Sequence, residues 1–269
     1  MCALRILTTV VILILFFVAG CGTLPNGRGW GQDAFFPVDA DRVSRAAHDA
    51  FFNSNTLVPL AGALVFGIDD FDERVSDWAV KHNPVFGTED DARDASNYLR
   101  ATLRIEAVIT ALAAPSGDVP EQWMVSKAKG FGVELAAVGA TSSVTDWLKD
   151  ATNRTRPDRG SDKSFPSGHA SGAFSYMTLA NRNIDLIDMP QALKPPLKVG
   201  NYLLASGVAW ARVEGQRHYP SDVLAGAALG HFLTAFIHDA FMNLPENDNV
   251  DLVVFPVRKG AGIALAFRF

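Results

Sequence analysis

Two histidines, an aspartate and three cations fall in three short blocks of the chain. The first runs Lys149-Asp-Ala-Thr-Asn-Arg-Thr-Arg156-Pro157, and the second is Phe165-Pro166-Ser167-Gly168-His169. The third runs Arg212-Val-Glu-Gly-Gln-Arg-His218-Tyr-Pro-Ser-Asp222. A phosphate dianion needs several positive groups in a dry pocket, and Arg suits this because its planar fork can hold two oxygens at once. The second block reads as a helix N-terminus, with Ser167 as the cap and Gly168 leaving room for close backbone approach. Free N–H groups and the positive end of the helix dipole make such a turn an anion site. Pro220 places the start of another helix just after His218, from whose first turn Asp222 can reach back to one ring nitrogen. Any one of these residues alone would be an ordinary surface or capping residue. Three blocks in this order and spacing point to phosphoryl chemistry.

These blocks resemble the signatures Lys-x6-Arg-Pro, Pro-Ser-Gly-His and Ser-Arg-x5-His-x3-Asp of the type 2 phosphatidic acid phosphatase superfamily, which also holds the vanadium haloperoxidases. Every position matches except Ala211, where the family has Ser. The resemblance covers about the C-terminal two-thirds of the chain and implies roles for these residues. His218 would be the nucleophile that forms a phosphohistidine, and His169 the general acid that protonates the leaving alcohol. Asp222 would orient His218. Lys149, Arg156 and Arg212 would hold the phosphate together with Ser167 and Gly168. No metal and no cofactor are implied, because the three cations do the charge stabilisation. Loss of the Ser hydroxyl at 211 would weaken phosphate binding by about 1.5–3 kcal/mol without abolishing activity.

The elements that must position these residues read as helices. Apolar residues recur at helical spacing from Asp41 to Phe52, and Thr56 to Gly67 is apolar throughout. Asp70 to His82 is amphipathic and ends at Asn83-Pro84. Glu89 to Ala114 opens with an acidic turn, and Pro120 starts a long helix to about Thr152. Further helices are expected over 168–182, 196–211 and 220–243. Beyond the first twenty residues no uncharged apolar stretch reaches the ~18 residues of a membrane span. The best is Val223 to Ile237, interrupted by His231. The tail alternates (Val253, Phe255, then Ile263, Leu265, Phe267, Phe269) around Arg258-Lys259-Gly260, which reads as a β-hairpin packed on the bundle.

The whole is expected to be an all-α, multi-helix bundle of the phosphatase/haloperoxidase kind with a C-terminal β-hairpin. Residues 1–20 read as a lipoprotein signal peptide, 21–37 as a lipidated flexible tether, 38–246 as the helical phosphatase domain and 247–269 as the hairpin tail. Val18-Ala19-Gly20-Cys21 resembles a bacterial lipobox, which would make Cys21 the lipidated N-terminus. Localisation would then be the cell envelope, periplasm-facing, at the outer membrane. With Cys2 removed in the signal and Cys21 acylated, no disulfide could form within the mature chain.

The chain of 269 residues carries a net charge of −5, which argues against nucleic acid as a partner. The expected substrate is a phosphorylated lipid or another phosphate ester or pyrophosphate. Two other readings share the sequence: a vanadium-dependent haloperoxidase, and a non-catalytic envelope lipoprotein using its Phe-ended tail as a contact. Arg154, Arg159, Lys163 and Arg217 fit equally a positive rim around the site or solvated charges balanced by Asp158, Asp162 and Glu214. His48, His82, His231 and His238 fall in no motif and read as structural or surface residues.

Overall fold

A computed structural model describes residues 20–35 and 38–244 with their side chains, and the backbone of 250–257 and 260–267. The signal-peptide reading of residues 1–19 lies outside the described residues. In chain order the helices are α1 (Ala40–Phe52), α2 (Ser54–Phe66), α3 (Phe71–His82), α4 (Glu89–Ala113), α5 (Pro120–Thr152), α6 (Gly168–Leu186), α7 (Lys194–Glu214) and α8 (Pro220–Met242). Strands β1 (Val250–Val257) and β2 (Gly260–Phe267) run antiparallel, with Val250 opposite Phe267. Where the tail's side chains pack lies outside the described residues.

Local chemistry explains the helix ends. Thr88 caps α4, its Oγ1 accepting from the Asp91 N–H at 3.1 Å, and Glu89, Asp90 and Asp91 oppose the helix dipole in the first turn. Pro120 and Pro220 open α5 and α8 at the position where a missing N–H costs nothing. Asn153 ends α5 in the left-handed conformation, φ 47°, and donates its N–H to the Lys149 carbonyl. Helix α7 starts two residues before the expected Pro196, because Pro195 and Pro196 both fit a first turn.

Helix α8 is the axis of the bundle and packs against α1, α2, α5 and α6. By length and composition it could cross a membrane, although its uncharged run is bounded by Asp222 and Asp239 and stays short of a full span. Just over half of its apolar window, 56%, is buried by the rest of the protein, as expected of a central core helix. Its approach to α6 is set by two glycines. A Cβ at Gly226 would stand 2.6 Å from the Ser167 carbonyl oxygen, and one at Gly230 would stand 2.2 Å from that of Ser171. Both are shorter than any real contact, so only glycine lets the two backbones meet here. This close crossing sets the start of α8 beside the start of α6.

The expected flexible tether is a packed strap, a correction to the sequence reading. Trp30 is fully buried, and its Nε1 donates to Asn183 Oδ1 at 3.1 Å. Gly22 bridges Gly117, and the Ser116 N–H and the Trp123 Nε1 both donate to the Gly20 carbonyl, each at 3.1 Å. The reason is the indole: burying a Trp outweighs the conformational entropy that the Gly-rich composition suggested. Gly130 makes room for it, since a Cβ there would fall 2.2 Å from the ring.

Candidate active site

The first turn of α6 carries His169, and His218 stands just before the first turn of α8. The Ser167 N–H donates to the Asp222 carbonyl at 2.9 Å, tying the turns together. His218 is 2% exposed and its Nδ1 lies 2.7 Å from the Ser164 carbonyl oxygen. A carbonyl only accepts, so Nδ1 carries the proton and Nε2 is left as the nitrogen with a free lone pair. Burial is the main reason the His218 ring titrates below its ordinary value. It is therefore neutral and nucleophilic at neutral pH.

Asp222 lies close to His218, as its spacing suggested, but without a hydrogen bond to the ring. Its carboxylate stands 3.8 Å from His218 Nδ1, beyond hydrogen-bond reach. It accepts instead from Ser164 Oγ at 2.5 Å, from the Tyr219 N–H at 2.9 Å and from Arg154 Nη1 at 2.8 Å. Asp222 thus holds the residue whose carbonyl holds His218. Burial would raise this carboxyl, but its donors and the Arg154 charge outweigh that and keep it below the usual carboxylate value. Arg154 also pairs with Asp72 at 2.8 Å, and Asp72 in turn accepts the Ser221 N–H at 2.8 Å. Arg154 is neither a free rim cation nor a solvated one; it braces the α8 turn from α3.

Two cations of the blocks, Arg212 and the half-buried Arg156, have no protein anion against them among the described residues. Arg212 is 6% exposed and donates from Nη1 to Ser96 Oγ at 3.1 Å. Among the described residues neither Arg212 nor Arg156 makes an ion pair, and the buried Nε of each has no partner. Burial above all, then the charges of Arg217, Arg156, Arg100 and Arg93, push Arg212 down to about 9. Arg156 is lowered likewise, first by burial and then by Arg217. Lys149 Nζ lies where a Gly168 Cβ would stand 2.9 Å away, so the glycine admits the ammonium to the α6 turn. Ser167 caps that turn, its Oγ accepting from the Ala170 N–H at 3.4 Å. Ala211 is fully buried, and the hydroxyl that reaches Arg212 comes from Ser96 on α4.

His169 Nε2 lies 2.8 Å from Asn97 Oδ1 on α4. Donation to that oxygen puts the neutral ring's proton on Nε2 and leaves Nδ1 to take up a second one. Burial first, then Arg212, Arg100, His218 and Lys149, push His169 down to about 2. A cavity of about 260 Å³ opens beside it, between α4, α5 and α6. Among the described residues no group of three His, Cys, Asp or Glu side chains is placed to hold a metal ion.

The remaining basic residues divide. Arg217 pairs with Asp158 at 2.7 Å and still faces the cations, while Lys163 pairs with Asp150 at 2.7 Å. Glu214 balances no cation; fully buried, it accepts from the Val85 and Phe86 N–H groups at 3.0 and 2.9 Å. His231 is bonded to Thr56 Oγ1 at 2.8 Å inside the bundle. Sequence reasoning missed Asp72, Ser96, Asn97, Arg100 and Ser164. Only Ser164 lies near a block, and no spacing ties the other four to the motifs.

Comparison with known proteins agrees with this arrangement. The PAP2 superfamily matches residues 131–245, which hold all three blocks. The chain is 32% identical over 142 residues to a decaprenylphosphoryl-5-phosphoribose phosphatase of Mycobacterium tuberculosis, covering 49% of this chain and 68% of that one. It is 37% identical over 82 residues to the lipid A 1-phosphatase of Porphyromonas gingivalis, covering 30% of this chain but only 17% of that longer protein. The fold is similar to the crystal structure of a transmembrane PAP2-type phosphatidylglycerolphosphate phosphatase from Bacillus subtilis. Its TM-score is 0.52 at 22% identity, over 68% of this chain and 92% of that one. The chain belongs to the PAP2 superfamily.

Proposed function

We propose that the chain is a phosphatase that hydrolyses a phosphomonoester or pyrophosphate, with lipid-linked phosphates as its substrate class, through a phosphohistidine on His218. The observation that carries this reading is the pair of buried guanidinium Nε groups on Arg156 and Arg212 that no protein acceptor satisfies. Buried donors are otherwise nearly always paired, and a buried cation without a counter-charge is costly. A bound phosphate supplies both the acceptor and the charge. The relatives named above add the substrate class, since each is named for a lipid or lipid-linked phosphate.

In this mechanism Arg156, Arg212 and Lys149 hold the phosphoryl oxygens and stabilise the charge that spreads over them. His218 Nε2 attacks phosphorus, the P–O bond to the leaving alcohol breaks, and His169 gives that oxygen a proton. Water then attacks the phosphohistidine, losing a proton to His169, and the P–N electrons return to Nε2. Burial first, then Arg212, Arg100, His218 and Lys149, hold His169 neutral in the free enzyme. A monoanionic substrate brings the proton, which passes to His169 Nδ1 once the phosphate lies among the cations, so the general acid is charged only in the complex.

Cys21 as a lipid attachment site belongs to the same proposal, and the strap gives it a consequence. Cys21 adjoins Gly22, which is bridged to Gly117 at the N-terminal end of α5. Lys149 lies near the other end of that helix, roughly 40 Å away at 1.5 Å per residue. Cleavage before Cys21 removes the Gly20 contacts but leaves Trp30 as the clamp. A lipid in the anchoring bilayer would reach this site only if the bundle lay along the membrane.

The test is phosphate release with chelator present from p-nitrophenyl phosphate, a phosphatidate and a polyprenyl pyrophosphate, beside His218→Ala. Expected are activity that survives chelator, inhibition by vanadate and loss in the variant by at least ~10³-fold. Peroxide-dependent halide oxidation on adding vanadate, with no phosphate release, would assign the site to haloperoxidase chemistry instead.

A further inference from the structure

The cavity beside His169 is not lined by His218, Arg156 or Arg212; Lys149 and His169 form its inner wall. In an in-line displacement the attacking and leaving groups lie on opposite faces of phosphorus. With His218 on one face, the leaving group departs on the other, towards His169 and into this space. What the space is made of therefore describes the leaving group.

Its walls expose polar and apolar surface in equal measure, the apolar part including Val138 and the glycines of α6. Thr141 and Ser142 on α5 and Tyr176 on α6 offer hydroxyls, and Val138 is the one large aliphatic side chain among the described lining residues. Ser142 and Tyr176 make no side-chain hydrogen bond among the described residues. Arg100, reaching in from α4, makes neither a hydrogen bond nor an ion pair among them. Its Cδ lies 3.8 Å from the Cβ position of Gly172 on α6. The one carboxylate on the wall, Asp146, is 69% exposed and lies 3.5 Å from Lys149 Nζ. A volume of about 260 Å³ is smaller than the ~300–1,000 Å³ of pockets that bury a drug-sized ligand. An acyl or prenyl chain here would strip water from hydroxyls and a guanidinium and return no hydrogen bond.

We propose, on the basis of the phosphatase reading, that this cavity seats the leaving group and is built for a sugar or polyol headgroup bearing a second phosphate, read by Arg100. Any hydrocarbon chain then lies outside the cavity, beyond the headgroup. The free guanidinium fork fits two oxygens of the second phosphate, and the hydroxyls of Ser142 and Tyr176 face the polyol. Arg100 is thus a specificity residue, lying outside the family-matched segment.

The experiment compares kcat/KM of the full chain for glucose 1,6-bisphosphate, glucose 1-phosphate and hexyl phosphate. The expected order is bisphosphate, then sugar monophosphate, then alkyl phosphate. Arg100→Gln is expected to lower the bisphosphate-to-monophosphate ratio by about 10- to 100-fold, the worth of one charged hydrogen bond. Arg100→Lys, keeping the charge without the fork, restores part of it. An unchanged ratio in Arg100→Gln, or a preference for hexyl phosphate, overturns the inference. Calorimetric binding of the bisphosphate to His218→Ala, with and without Arg100→Gln, separates this proposal from the one it rests on. Arg100-dependent binding without turnover in the native chain would sink the phosphatase reading and keep the subsite. Binding indifferent to Arg100 would sink the subsite alone.

Discussion

Near the N-terminal end of α5, Lys127 is buried, and its ammonium donates to the carbonyls of Ala111 and Ala114, the latter at 2.6 Å. Close by, Glu134 accepts from Asn183 at 2.8 Å, and Asn183 accepts from Trp30. At the opposite end, Arg212 is buried and Arg156 half-buried among other cations, and among the described residues their Nε groups meet no acceptor. Both ends bury charge; at the strap end the protein satisfies the Lys127 ammonium, whereas at the site end the Nε groups of Arg156 and Arg212 are left without an acceptor among the described residues. Polar groups paired by the protein itself serve the fold, whereas buried donors left without an acceptor call for a ligand. The two ends therefore differ in purpose, and substitutions at each should separate activity from stability.

The largest separation is expected from a matched pair. Arg212→Met should lower phosphatase activity by ~10²–10³-fold while leaving Tm unchanged or raised, because an uncompensated buried charge is removed. Lys127→Met should do the reverse: activity retained, with stability down by about 1–3 kcal/mol as two buried carbonyls lose their donor. Similar Tm losses in both, with activity intact in both, would erase the contrast. Trp30→Ala should cost about 3–5 kcal/mol by denaturant unfolding and leave kcat/KM untouched at permissive temperature. A free tether would lose nothing.

The site end is further sharpened by pH. With His169 pushed down to about 2 in the free enzyme, the proton for the leaving group must arrive on the substrate. Then kcat/KM should fall about tenfold per pH unit above ~6, the second pKa of a phosphomonoester. A level profile to pH 9 would show that His169 keeps its own proton.

The smallest effect belongs to the strap end. Burial raises Glu134 to about 7 from 4.5, so between those values the folded chain binds a proton that the unfolded chain has released. This contribution to stability is complete below about 4.5 and is lost as pH rises to about 7. Glu134→Gln should remove that part of the pH slope in unfolding measurements.

Most of the candidate site's residues were legible in the chain because they lie at helix ends whose caps are local chemistry. Ser167 before Gly168, Pro220 after His218 and Asn153 after Lys149 each announce a terminus within a few residues of a motif. The strap was misread because glycine content speaks for the unfolded chain, while the burial of one indole against Gly130 decides the folded one. The α8 helix was legible over its whole length, and His231, weighed as an interruption of a membrane span, is bonded to Thr56 inside the bundle.

By itself, the sequence determined which residues could hold and attack a phosphate, and where the helices that carry them begin and end. Those signals need only neighbours along the chain. The tertiary structure alone decided that the Ser164 carbonyl takes the hydrogen bond of His218 Nδ1 with Asp222 behind it, and that Arg154 is locked to Asp72. It alone brought Ser96, Asn97 and Arg100 from α4 to the site, through the Gly226–Gly230 crossing and the packing of α4 on α6. Such contacts depend on how closely two backbones approach, a property that no spacing within either segment encodes.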